Sequence, residues 1–270
     1  MTCSVKIIED SINPFTNVRL TTIQLKYWRS IHSELLTHRV FSRNASSSRA
    51  LPINTVLKQV WNDPAYPIHW GSNQSGMQSS TELKGLKKLF AKFSWWLASK
   101  ITCILVYLVN ILVKPHKQTF NRLLEPWQYI SVIVSSTEWD NFFELRNHPD
   151  AQPEIKELAH NMVLAMVKST PVEREYHLPY VSPVEKSKYT FDVCMKLSTA
   201  RCARVSYLTH DGKNPTYTKD IELYDRLVGS KPLHASPTEH SAIAMNTDNF
   251  IKNFRSWKQF RCLVEDSFNT

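Results

Sequence analysis

Apolar and polar positions alternate through residues 18–27 (VRLTTIQLKY), with one slip of phase, and this period of two predicts a strand. Residues 129–134 (YISVIV) are an apolar run of the length expected for a buried strand. Elsewhere the period lengthens to that of a helix. Residues 29–39 place Ile31, Leu35 and Leu36 at inward spacing, and residues 55–61 predict a short helix. Residues 81–113 predict a long helix, and residues 116–124 start another after Pro115. Residues 138–146 predict a helix stopped near Pro149. Pro153 opens the next, with Ile155, Leu158, Ala159, Met162, Val163 and Met166 on one face. Further helices are expected over 194–205, over 218–228 before Gly229, and over the basic stretch 250–265. Residues 44–52 and 63–80 read as loops, residues 242–245 as a short apolar run, and residues 169–187, rich in proline and charge, as a linker or surface excursion. The class is α+β.

Residues 94–113 (SWWLASKITCILVYLVNILV) test this reading, because they match a membrane span in length. Lys100, Asn110, Ser94 and Ser99 interrupt them, and the apolar face continues back through Leu89, Phe90 and Phe93. The expectation is a long, mostly buried helix and no membrane.

The chain has 270 residues, 42% of them hydrophobic, enough for a sizeable core. A formal charge of +9 points to an anionic partner such as a nucleotide, a phosphorylated cofactor or nucleic acid. Five widely spaced cysteines without a C-x-x-C predict free thiols, and with no charged-then-apolar leader the expected location is cytoplasmic. Five glycines form neither G-x-G nor a P-loop, so phosphates must be held by side-chain cations. His210, His234 and His240 lack ligand spacing, and no metal site is expected.

Four blocks carry candidate chemistry. Thr37-His38-Arg39 runs on to Ser47, Ser48 and Arg49 with no acid between, which suits phosphate or carbonyl oxygens; a solvated serine-rich loop has the same composition. The others are His116-Lys117-Gln118 with Asn121-Arg122, the stretch from Glu138 through Asn141 to Leu145-Arg146 leading to Ala151-Gln152-Pro153-Glu154, and Ala203-Arg204-Val205-Ser206-Tyr207 with His234-Ala235-Ser236-Pro237-Thr238-Glu239-His240.

Together these blocks resemble the flavin-dependent thymidylate synthases, the ThyX family, with its R-H-R-x7-S signature, A-R-V-S and H-x-[ST]-P-F-E-H blocks, and N-x-x-x-x-L-R helix leading to A-Q-x-E. In that family the A-R-V-S and P-F-E-H blocks come first and the R-H-R block follows; here those first two lie at the C-terminal end, so the order looks circularly permuted, with the old termini joined through about residues 169–190. The strand after His240 should then lie beside the strand 18–27. The resemblance implies a single ThyX-like mixed α/β domain with a central antiparallel sheet and long helices: 1–168 with the signature, nucleotide and flavin blocks, 169–193 as linker, and 194–270 with the permuted blocks.

The resemblance also implies a homotetramer that holds FAD, a pyrimidine deoxynucleotide monophosphate (deoxyuridylate) and a methylene-tetrahydrofolate, with NADPH as reductant. His38, Arg39, Asn141, His234, Ser236 and Glu239 would face FAD. Ser47, Ser48 and Arg49 would hold the nucleotide phosphate, and Glu34 and Arg122 would also meet the nucleotide. Arg146 would contact the uracil ring and favour its ionised N3, the catalytic contribution. Arg146 at a helix C-terminus would equally interact with the helix dipole. Four positions depart from the family pattern: Thr37 for the first Arg, Ala45 for Glu, Thr238 for Phe, and Glu34 for Gln. The implied reaction is methylation of deoxyuridylate. Glu34, able to accept from a cytosine amino group, leaves open hydroxymethylation of deoxyuridylate or deoxycytidylate. A basic nucleic-acid-binding protein without flavin is the non-enzymatic alternative, although no nucleic acid is expected on the ThyX reading.

Overall fold

The computed structural model describes residues 3–205, 215–229 and 231–268. The first hairpin joins β1 (Ser4–Ile12) to β2 (Arg19–Trp28), antiparallel with a bulge between Ile7 and Glu9. A 3-10 turn, Arg29–Ile31, leads into α1 (His32–Leu36), and β3 (Ser42–Ala45) follows. Then come α2 (Ile53–Asn62), α3 (Gly85–Leu112), α4 (Lys117–Phe120) and a 3-10 segment, Asn121–Trp127, before β4 (Tyr129–Ser136). The helices α5 (Asp140–Arg146) and α6 (Pro153–Lys168) complete this half. The described residues form a five-stranded sheet in the order β3-β4-β2-β1-β5, where β5 (Val172–Glu173) adds the one parallel pairing, on β1.

The alternation seen in the sequence sets the two faces of this sheet. Ile23, Leu25 and Tyr27 of β2 stand opposite Val134, Val132 and Ile130 of β4, and all six are buried against one core. α6 covers them with Ile155, Leu158, Ala159 and Met162, one helical stripe, in which Ile155, Leu158 and Met162 each contribute about 1.5–3 kcal/mol by burial.

The other face takes the second half of the chain. β6 (Tyr176–His177), α7 (Pro183–Lys188), α8 (Phe191–Ala203) and α9 (Tyr217–Val228) are followed by a 3-10 turn, Ser236–Glu239, and β7 (Ala242–Ala244). A hairpin of β8 (Phe250–Ile251) and β9 (Phe254–Arg255), then β10 (Trp257–Gln259) and α10 (Phe260–Phe268), end the described chain. β7 sits between β6 and β10 in a second, three-stranded sheet. It is therefore not a ladder partner of β2. It packs against the start of that strand, where Val18 and Leu20 join Ala242, Ala244, Phe254 and Trp257 in one cluster and Trp257 Nε1 donates to Val18 O at 3.1 Å.

Three expectations fail. Residues 250–265 are not one helix: Lys252 (φ 58°) and Ser256 (φ 63°) take left-handed turns that split the stretch into strands, and the helix begins only at Phe260. Residues 169–187 are not a bare linker, since His177 and Leu178 are buried and a Ser182–Glu185 capping box starts α7. The long helix α3 is not buried: of its residues only Ser99, Cys103 and Val106 are. All five cysteines are free and buried.

A buried polar chain ties the halves together. Ser11 Oγ meets His177 Nδ1 (2.8 Å), His177 Nε2 meets Thr22 Oγ1 (2.7 Å), Thr22 meets Ser135 Oγ (2.6 Å), and Ser135 meets His240 Nδ1 (2.8 Å). Burial holds both imidazoles below their ordinary value of 6.5, His240 at about 3. Lys186 and Arg174 add their positive charge against His177. The unfolded chain thus binds protons between pH 6.5 and about 3 that the native chain does not, so stability is full above pH 6.5 and lost as pH falls. The limiting slope is about 1.4 kcal/mol per pH unit per histidine. Urea unfolding between about pH 7 and 5, above the ordinary carboxylate range, should show this loss, and His240→Gln should reduce the slope by one proton's worth. A flat stability profile over that window would contradict the neutral, buried assignment.

Candidate active site

The signature stretch straddles a short strand. α1 ends at Leu36, the chain turns through Thr37 and His38, and β3 carries it to the serines beyond. α5 ends at Arg146, which reaches back to the turn. Its Nη1 donates to Glu34 Oε2 at 2.7 Å, its Nε to His38 Nε2 at 3.2 Å, and its Nη2 to Thr37 Oγ1 at 3.3 Å. Three donors of one guanidinium are thereby fixed in direction. Accepting at Nε2 requires a neutral His38, and burial followed by the Arg146 and Arg43 charges lowers its pKa accordingly. His38 is 8% exposed, with its ring stacked on Phe41 and edge-on to Phe142.

Arg43, on β3, connects this group to the C-terminal block. Its Nη1 donates to His38 O at 2.7 Å, and Glu239 contributes to its electrostatic surroundings. Glu239 pairs with Arg261, and its carbonyl accepts from Gln259 Nε2 at 2.8 Å, a nitrogen that also reaches Ser42 Oγ at 2.8 Å. His38 and Glu239, two hundred positions apart in sequence, thus share a neighbourhood. Arg39, Asn141, His234 and Ser236 are exposed.

At the far end of β3, about 13 Å away by strand rise, lies the serine loop. Ser46 exchanges two hydrogen bonds with the Ser131 backbone (2.8 and 3.1 Å). Ser48 Oγ donates to Glu125 Oε1 at 2.8 Å, and Asn121 Nδ2 donates to Ser48 O at 2.7 Å. Glu125 also receives Arg122 at 3.3 Å and Arg29 at 3.4 Å. Ser47 and Arg49 are exposed.

The predicted cations therefore form two groups. Arg146 stands with Glu34 and His38 at one end of β3, and Arg49 and Arg122 stand at the other; among the described residues no hydrogen bond or ion pair joins the groups. Beside the serine loop opens a cavity of about 690 Å³, within the size range of ligand sites. Ser46, Ser47, Lys26, Lys58 and Arg204 line it, with Asp63 as the acid. Arg204 is the arginine of the A-R-V-S block, tied to Asp220 and to Lys219 O at 3.2 Å. Ser206 and Tyr207 of that block, and His210, lie outside the described residues. Sequence reading missed Lys26, Lys58 and Glu125. Lys26 falls at a polar position of an alternating strand, which marks it as solvent-facing without marking what else faces the same space.

No protein-family model and no curated protein matches the sequence. Among solved structures, the chain is similar to PolB of Streptomyces cacaoi, a UMP/dUMP methylase bound with 5-Br UMP, at 14% identity and TM-score 0.51 over 62% of this chain and 89% of that one. It also aligns with ThyX of Helicobacter pylori, complexed with FAD and dUMP, at 15% identity and TM-score 0.39 over 54% of this chain and 67% of that one. At such identity the first likeness is one of fold: this chain folds as PolB does.

Proposed function

We propose that the protein is a ThyX-like pyrimidine-nucleotide methylase that converts dUMP to dTMP, using FAD, methylene-tetrahydrofolate and NADPH. The observation that carries this reading is the Arg146 guanidinium, aimed by Glu34, His38 and Thr37 on a fold shared with a UMP/dUMP methylase. A guanidinium held in one direction stabilises negative charge on a uracil ring without having to reorganise, which activates C5 as a nucleophile. On this reading Ser47, Arg49 and Arg122 hold the phosphate, and Ser48 joins them by giving up its hydrogen bond to Glu125. Arg49 is exposed and Arg122 is 59% exposed on a single weak pair, so both can turn to an anion at small cost.

The donor set fits FAD. Arg39, Asn141, His234 and Ser236 are exposed, His38 is buried and Glu239 half-buried; with no glycine-rich loop in the chain, such side chains must supply the contacts. FAD, when bound, supplies the redox chemistry that reduces the transferred carbon to a methyl group. The two groups at the ends of β3 belong, on this reading, to sites completed between subunits of a homotetramer. The packing of β7 on the start of β2 and of the Ser236–Glu239 turn near β3 supports a circularly permuted single domain.

A second reading keeps the scaffold and changes the product. Glu34 offers Arg146 only Oε2, and its Oε1 has no hydrogen bond to a described residue. That oxygen could accept from a cytosine amino group, which favours folate-dependent hydroxymethylation of dCMP. Incubating the FAD-treated protein with methylene-tetrahydrofolate, NADPH and either dUMP or dCMP, then weighing the nucleotide by mass spectrometry, separates the readings. A C5-methyl product from dUMP is expected. A hydroxymethyl product would establish the second reading. A colourless protein that rejects FAD, leaves both nucleotides unchanged and binds DNA in a salt-sensitive manner would overturn both.

A further inference from the structure

The exposed helix α3 has no role in the proposed chemistry, and its surface is divided in an unusual way. One stripe, Ser99, Cys103 and Val106, is buried, and Cys103 and Val106 pack with Val56, Leu57 and Val60 of α2 and with Leu124. The polar groups of the helix's apolar part follow that stripe inward. Lys100 Nζ donates to Trp61 O and lies over the Trp61 ring, Asn110 Nδ2 donates to Asn54 Oδ1 at 3.1 Å, and Trp95 Nε1 donates to Ala65 O at 2.9 Å. What remains outward is mostly apolar: Leu97, Ile101, Ile104, Leu105, Leu108 and Ile111 are each between 38% and 57% exposed, and only Ser94 and Tyr107 among the exposed residues of 94–113 carry a hydroxyl.

Charge marks the two ends. Lys84, Lys87 and Lys92 are exposed at the start and Lys114 at the finish, while Lys88 pairs with Glu82 at 2.7 Å. No Asp or Glu occurs between Glu82 and Glu125. The 20 residues from Ser94 to Val113 extend about 30 Å as helix.

The geometry points to a bilayer surface containing anionic lipid as the occupant of this face. Burying this mostly apolar half-cylinder about 5–10 Å into the acyl boundary would remove the exposed leucines and isoleucines from water, and lysines at each end would meet lipid phosphates. The helix lies along the surface and does not cross it. Its inner stripe is docked on α2, so a crossing would carry Lys58, Gln59 and Asn62 into hydrocarbon. A second copy suits the face less well. Pairing α3 with itself, parallel or antiparallel, sets lysines against lysines at the ends, where the nearby acid Glu82 is already paired with Lys88.

Vesicle flotation tests this with the full chain. We expect the protein to float with phosphatidylcholine–phosphatidylserine vesicles, and at least about tenfold more weakly with phosphatidylcholine alone or at high salt. Ile101→Gln with Leu108→Gln should abolish flotation. Lys87→Gln with Lys92→Gln, which leaves the apolar face intact, should weaken it by roughly 30-fold. Circular dichroism checks that both variants keep their helix. Failure to float with the mixed vesicles overturns the proposal, as does flotation that both variants leave unchanged. Sedimentation run in parallel identifies the rival occupant: self-association that the Ile101/Leu108 variant abolishes, without flotation of the parent, assigns the face to a second copy.

Discussion

Arg146→Ala should lower turnover by about 10²–10³-fold, the cost of removing one oriented donor from a developing anion. Its stability cost should be small. Arg146 and Glu34 are 22% and 27% exposed at their side chains, and a pair so open to water contributes about 1 kcal/mol at most. The loss would fall on chemistry because the guanidinium's direction is fixed by three acceptors, Glu34, His38 and Thr37, and water cannot reproduce that direction. Arg146→Lys should recover little, since an ammonium keeps the charge without the planar fork. FAD uptake, read from flavin absorbance, should be unchanged in both. Turnover within about twofold of the parent would remove Arg146 from the catalytic role and leave it a helix-end residue.

Arg201→Ala should destabilise the protein by about 3–5 kcal/mol, a large part of the total stability of about 5–15 kcal/mol usual for a protein. Arg201, 2% exposed, is the junction of α7, α8 and α9. Its Nε donates to Asp220 at 2.8 Å, its Nη2 to Glu185 at 2.6 Å, and its Nη1 to both Glu185 and Tyr180 O at 2.8 Å. Hydrogen bonding from Arg201 leads the causes that hold the Glu185 carboxyl down at about 2. Deleting the cation leaves Asp220, which has no exposed surface, with Arg204 as the one cation paired to it among the described residues. Urea unfolding measures the loss, and a change below about 1 kcal/mol would show that water and Arg204 take over.

Much of the sheet was readable in advance. The alternation through β2 places Ile23, Leu25 and Tyr27 on the core face, and the apolar run of β4 fits a strand covered on both sides. The stripe of α6 was equally plain. The C-terminal stretch misled because Phe250, Phe254, Trp257 and Phe260 recur at spacings of four and three, as a helix would place them; the left-handed turns at Lys252 and Ser256 involve residue types that do not announce such a conformation. β1 gave no strong signal, since Glu9 and Asp10 interrupt it, and their partners Lys186, Arg174 and Arg19 come from elsewhere in the chain. For α3, apolar periodicity identified the helix and could not say what it touches. Of the candidate blocks, the structure brings those of His38, Arg146 and Glu239 near one another. The way Glu34 and Glu125 occupy the arginines was not legible in the sequence, because ion-pair choice is settled by packing.

β3 forms one border of the main sheet, and its far side depends on parts made much later. Gln259 and Asn253 donate to Ser42 at 2.8 and 3.2 Å, and the Ser236–Glu239 turn packs alongside. A ribosome therefore releases the signature strand long before the segments that shield it. Throughout that interval the nascent chain carries an open strand border that can recruit a stranger. The border of β3 is thus guarded by residues that leave the ribosome some two hundred positions after it.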